Sequence, residues 1–278
     1  MAYPDALTLT VLGSAGAYRT HEGSRASGYL VQHGTTTVVL DLGHGAYAPL
    51  AARLGISALP QISAVAISHL HPDHWVDLAA LRHALVHGNK MGNDARSVSV
   101  IGPSGLAARL SALLDDRTPE EEAAGAHTGL QPFAFTSWRS DTALPPLGGG
   151  RVVSIGDLTM RSARVRHTGE SYALRIALGD AHGLTYSGDV ALWEDLAAIV
   201  RPGDTLLCEA AGGAAQWREG DTHVTAYGAG KAAASAGAAK LLLTHFGAEV
   251  DPAEAVRAAA TEFSGEIVAV REGDRFEI

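Results

Sequence analysis

Apolar, β-branched runs broken by glycine open the chain. LTLTVLG (7–13), GYLVQH (28–33) and TTVVLDLG (36–43) each predict a strand. Residues 45–54 predict a helix, and AVAIS (64–68) is a short, wholly apolar strand. VDLAALRHALV (76–86) has helical periodicity, followed by a strand at 97–101 and a helix near 104–114. From about 115 to 150 the pattern dissolves through TPEEEAAGAHTGL and ALPPLGGG, which predicts an irregular loop or insertion. Strands resume with RVVSI, LTMRSARVRH, YALRIAL and GLTYSGD. A helix at 191–200 leads to TLLCEA (205–210), and an Ala-rich helix at 224–237 leads to KLLLTH (240–245). A last helix precedes EIVAV and RFEI. Two strand-rich halves, each ending in helix–strand alternation with no linker between them, predict one α/β domain over 1–278. Its economical form is two sheets covered by helices.

Composition narrows the function. The 278 residues are 46% hydrophobic and 18% charged, which describes a globular chain with a sizeable core. No apolar stretch reaches the length of a membrane span. MAYPDALTLT lacks the basic-then-apolar pattern of a secretory signal, and the lone Cys208 excludes an internal disulfide, so the expected location is cytoplasmic. The net charge is −9 and Lys and Arg form no cluster, so a large nucleic acid is not the expected partner. The expectation is a small-molecule substrate, no membrane, and a homodimer as an open alternative.

Candidate chemistry concentrates in SHLHPDHW (68–75). In an extended segment residues i and i+2 point the same way, so His69 and His71 share a face while Leu70 turns away. Pro72 bends the chain and places Asp73 and His74 at the start of the next helix. Imidazole nitrogens with carboxylate oxygens suit zinc, with manganese or iron as alternatives. His167, Asp189 and His245 each follow an apolar strand and can reach the same sheet edge. Together these residues supply seven ligands, enough for two divalent ions bridged by one carboxylate.

The order His-x-His-x-Asp-His, then separate His, Asp and His, resembles the metallo-β-lactamase superfamily over almost the whole chain. The resemblance implies a four-layer αββα sandwich. It implies that His69, His71 and His167 hold one metal, Asp73, His74 and His245 the second, and that Asp189 bridges them. A cysteine, where true β-lactamases generally have one, is absent at Asp189. HTGESYALRI, THVTAYGAGKAAASAGAAKLLLTHF and LGSAGAYRTHEGSRASGYLV resemble the ribonuclease Z group. That likeness implies that His223, in the His-x-Thr, protonates the leaving oxygen and that Glu209 orients it. Such a pair is chemically coherent, because Glu209 would keep His223 protonated while a hydroxide held by two cations attacks. Asp73 could also orient that hydroxide. The tRNA-gripping arm has no room between Tyr172 and Asp189. His74-Trp75-Val76-Asp77-Leu78 and the compact length look like small bacterial cyclic-nucleotide phosphodiesterases.

The implied activity is a dinuclear phosphodiesterase of a small phosphodiester such as a cyclic nucleotide. The alternatives are tRNA 3′ processing, lactone or thioester hydrolysis, and a non-catalytic metal-stabilised binding protein. Trp75 is a candidate for base stacking and Ser171 and Tyr172 for phosphate contact, each balanced by a packing role. His83 and His87, four apart on one face, read as a solvated or pocket-rim pair. Cys208 reads as a small apolar filler. GSAG (13–16) lacks the Lys-Ser/Thr of a phosphate loop and reads as a tight turn.

Overall fold

The glycine-bounded runs become strands in the computed structural model, which describes residues 6–18, 22–88, 97–124, 129–140 and 143–278. In chain order they are β1 (Thr8–Gly13), β2 (Gly28–His33), β3 (Thr36–Leu42), β4 (Ala64–Ala66), β5 (Val98–Gly102) and β6 (Phe133–Ser137). A second series follows: β7 (Val152–Ile155), β8 (Leu158–Val165), β9 (Ser171–Leu178), β10 (Gly183–Tyr186), β11 (Thr205–Glu209), β12 (Lys240–Thr244) and β13 (Glu266–Ala269). The last strand, β14 (Arg275–Glu277), returns to the first sheet. Among the described residues the two sheets run β14-β1-β2-β3-β4-β5-β6 and β13-β12-β11-β10-β9-β8-β7. Each is half antiparallel and half parallel. The parallel halves are β3 to β6 in one sheet and β10 to β13 in the other.

Strand alternation sorts side chains into three apolar layers. Leu9, Tyr29, Val31, Val38 and Leu40 of the first sheet meet Met160, Leu174, Ile176, Leu207 and Leu242 of the second. The opposite face of the first sheet, with Leu30, Val39 and Val65, packs under α1 (Tyr47–Leu54), α2 (Leu78–His83) and α3 (Leu106–Leu113). A short α4 (Pro119–Ala123) follows. The outer face of the second sheet, with Leu206, Cys208, Leu241 and Leu243, packs under α5 (Ala226–Ala236) and α6 (Pro252–Ala259). Each such buried side chain contributes about 1.5–3 kcal/mol. The result is the αββα sandwich.

The interval expected to be irregular is only partly so. Thr118 caps α4 in a reciprocal capping box with Glu121. FAFTS forms β6, the edge strand paired parallel to β5. An edge strand is covered on fewer sides, and β6 beyond Phe133 is half-buried or exposed, which blunts its apolar pattern. Residues 125–128 and 141–142 of that interval, and 1–5 and 19–21 of the segments read near the start, lie outside the described residues. No helix among the described residues is long and apolar enough to cross a membrane.

Candidate metal centre

Strand ends converge on one edge of the sandwich. His69, His71, Asp73 and His74 follow β4, His167 follows β8, Asp189 follows β10, and His245 follows β12. Pro72 to His74 form a single 3-10 turn that swings Asp73 and His74 back toward the edge. The turn sits against the end of β3 because residue 43 is glycine: a Cβ there would lie 1.8 Å from the Asp73 carbonyl oxygen. His245 and Asp41 both hold left-handed backbone, at φ 53° and 51°, a cost concentrated beside the site.

The seven predicted ligands fall into two groups, and a third grouping of Asp189, His223 and His245 overlaps both. His69, His71, His167 and Asp189 have ligand atoms within 4.8 Å of one another, as do Asp73, His74 and His245. Asp189 stands between them. Its Oδ2 lies 3.6 Å from both His69 Nε2 and His167 Nε2 and 3.3 Å from His245 Nε2, and its Oδ1 lies 3.4 Å from His74 Nε2. Asp73 Oδ2 lies 3.5 Å from His74 Nε2 and 4.0 Å from His245 Nε2.

These atoms fit a divalent cation. His69 Nε2, His74 Nε2 and Asp189 Oδ1 are buried with no hydrogen-bond partner, a cost of about 1–3 kcal/mol each unless something else satisfies them. The far side of four of the imidazoles is already tied. His74 Nδ1 donates to Asp41 at 2.7 Å, and His167 Nδ1 donates to the Thr222 carbonyl at 2.7 Å. Ser68 Oγ lies 3.1 Å from His69 Nδ1, and Ser27 Oγ lies 2.9 Å from His245 Nδ1. Second-side bonds of this kind fix tautomer and ring direction at metal sites. His71 differs by turning Nδ1 inward, 3.2 Å from His167 Nε2. Burial lowers His69 and lowers His245 to about 4, so both keep a free lone pair at neutral pH. Burial acts the same way on His74, but the charges of Asp189 and Asp41 outweigh it and raise His74 well above the usual range. The same carboxylate charges also favour a cation there, which would take the place of that proton. Asp189 itself stays ionised: burial opposes this, and the surrounding His245, His74 and His69 prevail.

Asp41 is the residue that sequence reasoning missed. Fully buried in β3, it accepts hydrogen bonds from Ser68 N, Ser68 Oγ, His74 Nδ1 and Tyr186 OH, all at 2.7 Å. A buried aspartate ending an apolar strand in TTVVLDLG was the available signal. Glu170 is a second omission: it accepts from Ser104 N at 3.1 Å and Tyr172 OH at 3.0 Å and pairs with Arg139 at 2.8 Å, tying the His167 turn to the first-sheet loops.

A cavity of about 610 Å³ opens over the cluster, lined by His71, Asp73, Asp189, His223 and His245 together with the small residues Gly16, Ala17, Ala211, Gly212 and Ala215. His223 comes from the loop before α5, and Glu209 ends β11 beneath it. His223 Nδ1 lies 3.0 Å from Glu209 Oε2 and 3.8 Å from Asp189 Oδ2. Burial lowers the His223 pKa, but the hydrogen bond and charge of Glu209 outweigh it and raise it to about 9. Burial raises Glu209 to about 7 against the pull of His223, so the pair shares its proton tightly.

The three residues expected to touch substrate lie elsewhere. Trp75 is only 5% exposed, packs in the core under α1 to α3, and donates from Nε1 to the Leu70 carbonyl at 3.1 Å. The 3-10 turn ends just before it and rotates it inward. Ser171 is buried, with its Oγ 3.1 Å from Thr168 Oγ1. Tyr172 lies between the sheets against Trp138. None lines the cavity. Asp77 acts locally, its carboxylate accepting from Tyr47 N at 2.9 Å at the start of α1. His83 and His87 are exposed, ring centroids 4.6 Å apart, and do not line the cavity. Cys208 is buried and burial pushes its thiol pKa up, so it is an inert filler.

Comparison with known proteins agrees with this fold. The family model described as the beta-lactamase superfamily domain matches residues 36–246. An uncharacterized protein of Mycobacterium leprae is 31% identical over 272 residues, covering 97% of this chain and 88% of the relative. The probable metallo-hydrolase YhfI of Bacillus subtilis is 25% identical over 270 residues, covering 96% of this chain and 98% of its own. The crystal structure of YhfI superposes with a TM-score of 0.78 at 24% identity, covering 98% and 100% of the two chains. Ribonuclease Z of Mycobacterium bovis is 28% identical over 300 residues, covering 98% of each.

Proposed function

This chain belongs to the metallo-β-lactamase superfamily of metal-dependent hydrolases, and from that premise we propose that it hydrolyses a small phosphodiester, with a cyclic nucleotide as the leading substrate. His69, His71 and His167 would hold one divalent cation and Asp73, His74 and His245 a second, with Asp189 shared between them. Zinc suits this donor set, with manganese or iron as alternatives. Two such cations supply a nucleophile at neutral pH and counter the charge that develops on phosphoryl oxygen. Asp73 and Asp189 line the floor of the cavity beside His223, and Ala211 and Gly212 form part of its wall.

The observation that carries the reading is His223 on Glu209, at the cavity wall and beside Asp189. An alkoxide leaving from a phosphodiester needs a proton, and His223 is placed and charged to give one. A lactone or thioester would leave such a donor with less to do. Glu209, held by Val190 N at 2.8 Å, keeps the imidazole oriented and restores its proton affinity after transfer. One relative bears the name ribonuclease Z, and ribonucleases act on phosphodiester bonds. The chain's charge of −9 favours a small substrate over tRNA. Turnover of 3′,5′-cyclic AMP by the metal-loaded protein tests the proposal. Turnover of lactones or thioesters in its place overturns it.

A further inference from the structure

On the other side of the His223 loop lies a second cavity, of about 260 Å³, between the 3-10 turn Trp193–Ala198, the loop residues Gln216 and Trp217, and the first turns of α5. Its aromatic walls are Trp193, Trp217 and Tyr227. Trp217 is 40% exposed, an unusual position for the largest apolar side chain. Residue 228 is glycine because of Val224, whose Cγ2 would lie 2.4 Å from an added Cβ, and Trp193 sits beside it at an ordinary contact distance of 3.6 Å. Trp193 and Tyr227 pack against the core beneath α5 while also lining the cavity, and none of the three rings stacks on another described ring.

The polar groups of the cavity are exposed to solvent. Glu194, Gln216 and Lys231 line it, and their side chains make no hydrogen bond or ion pair with any described residue, not even Glu194 with Lys231. Tyr227 and Lys231, four apart on α5, present a ring and an ammonium on one helical face. An aromatic slot of this volume, with a carboxylate and an amide to accept from an amino group and an ammonium to meet an anion, matches one chemical class. We propose that this cavity is a second ligand site for a mononucleotide, separate from the metal centre. The base lies against Trp193 and Trp217, its exocyclic amine meets Glu194 and Gln216, and its phosphate meets Lys231. The site does not depend on which bond the metal centre cleaves. It is nevertheless joined to that centre, because Thr225 lines both cavities and the same loop carries His223.

Titration of the metal-loaded, full-length protein with AMP, followed by tryptophan fluorescence and equilibrium dialysis, tests the assignment. Adenosine and inorganic phosphate serve as separate arms. The expected result is saturable quenching by AMP, weaker binding of adenosine and no quenching by phosphate alone. Lys231→Glu should weaken AMP binding on the order of tenfold or more by losing a charge-assisted contact. Trp217→Ala should weaken both AMP and adenosine. AMP binding of unchanged affinity in both variants would place the nucleotide elsewhere and overturn the proposal. Absence of saturable AMP binding would overturn it too. Trp217 quenching that depends on protein concentration instead would assign the slot to a second copy of the chain.

Discussion

Glu209 Oε2 lies 3.0 Å from His223 Nδ1, with the carboxylate wholly buried and the imidazole at the cavity wall. The relationship divides labour: Glu209 sets the proton affinity and orientation, and His223 is the group free to act. A reaction that needs imidazolium therefore declines as pH rises through the His223 value of about 9. Replacing the carboxylate by an amide removes the main charge that raises His223, leaving burial to lower it against Asp189 alone. Glu209→Gln should move the alkaline limb of the kcat/KM profile to lower pH, as read from initial rates on a phosphodiester with an alkyl leaving group. An unmoved limb would remove Glu209 from this role.

Asp41 accepts four hydrogen bonds and directs His74 at the cluster. Asp41→Asn should weaken metal retention about 10- to 100-fold, as second-side changes do elsewhere. Chelator competition measures it. Tyr186→Phe removes only one of the four donors and should cost about 0.5–1.5 kcal/mol of stability, with little metal lost.

Trp75 separates packing from substrate contact. Trp75→Ala should lower stability by about 3–5 kcal/mol in denaturant unfolding, the cost of a cavity in the core beneath α1 to α3. KM of the remaining folded enzyme should stay unchanged. A raised KM with wild-type stability would return Trp75 to the substrate.

Arg175 and Asp204 form a buried pair in the second sheet, with Nε and Nη2 2.7 and 2.8 Å from the two carboxylate oxygens. Asp204 also accepts from Gly183 N, Thr185 Oγ1 and Arg201 N. Burial raises the Asp204 pKa, but the bond to Arg175 and these other donors outweigh it, leaving it below the ordinary 3.8. A depressed carboxylate contributes stability above its unfolded pKa and loses it as pH falls through the folded value. Acid unfolding of the wild type should therefore steepen below pH 3.8, and Asp204→Asn should flatten that slope. At neutral pH the same substitution should cost about 3–5 kcal/mol by leaving Arg175 buried without its partner. Urea midpoints across pH measure both effects.

The ligand groups were legible because each chemical residue stands just past an apolar strand, where a sheet edge must gather them. His69 and His71 also share a face by simple alternation. Asp41 carried only the weak signal of an aspartate at the end of an apolar strand, because its role depends on Ser68, His74 and Tyr186, which approach it from distant points of the chain. Trp75 misled for the opposite reason: adjacency to His74 in sequence says nothing once a 3-10 turn rotates the next side chain inward. Ser171 and Tyr172 lie on β9 facing neighbours in the sandwich, which no local pattern reveals. The half-buried edge strand β6 hid within a polar interval.

The decisive comparison is kcat/KM for 3′,5′-cyclic AMP in wild type and His223→Ala, each shown to hold two metal ions per chain, beside an activated p-nitrophenyl phosphodiester. A two-metal phosphodiesterase with a histidine acid predicts a loss of roughly 10²–10⁴-fold on cyclic AMP and a much smaller loss on the activated ester, whose leaving group needs no proton. Equal losses on both substrates, or no cyclic AMP turnover by fully metal-loaded wild type, would contradict it.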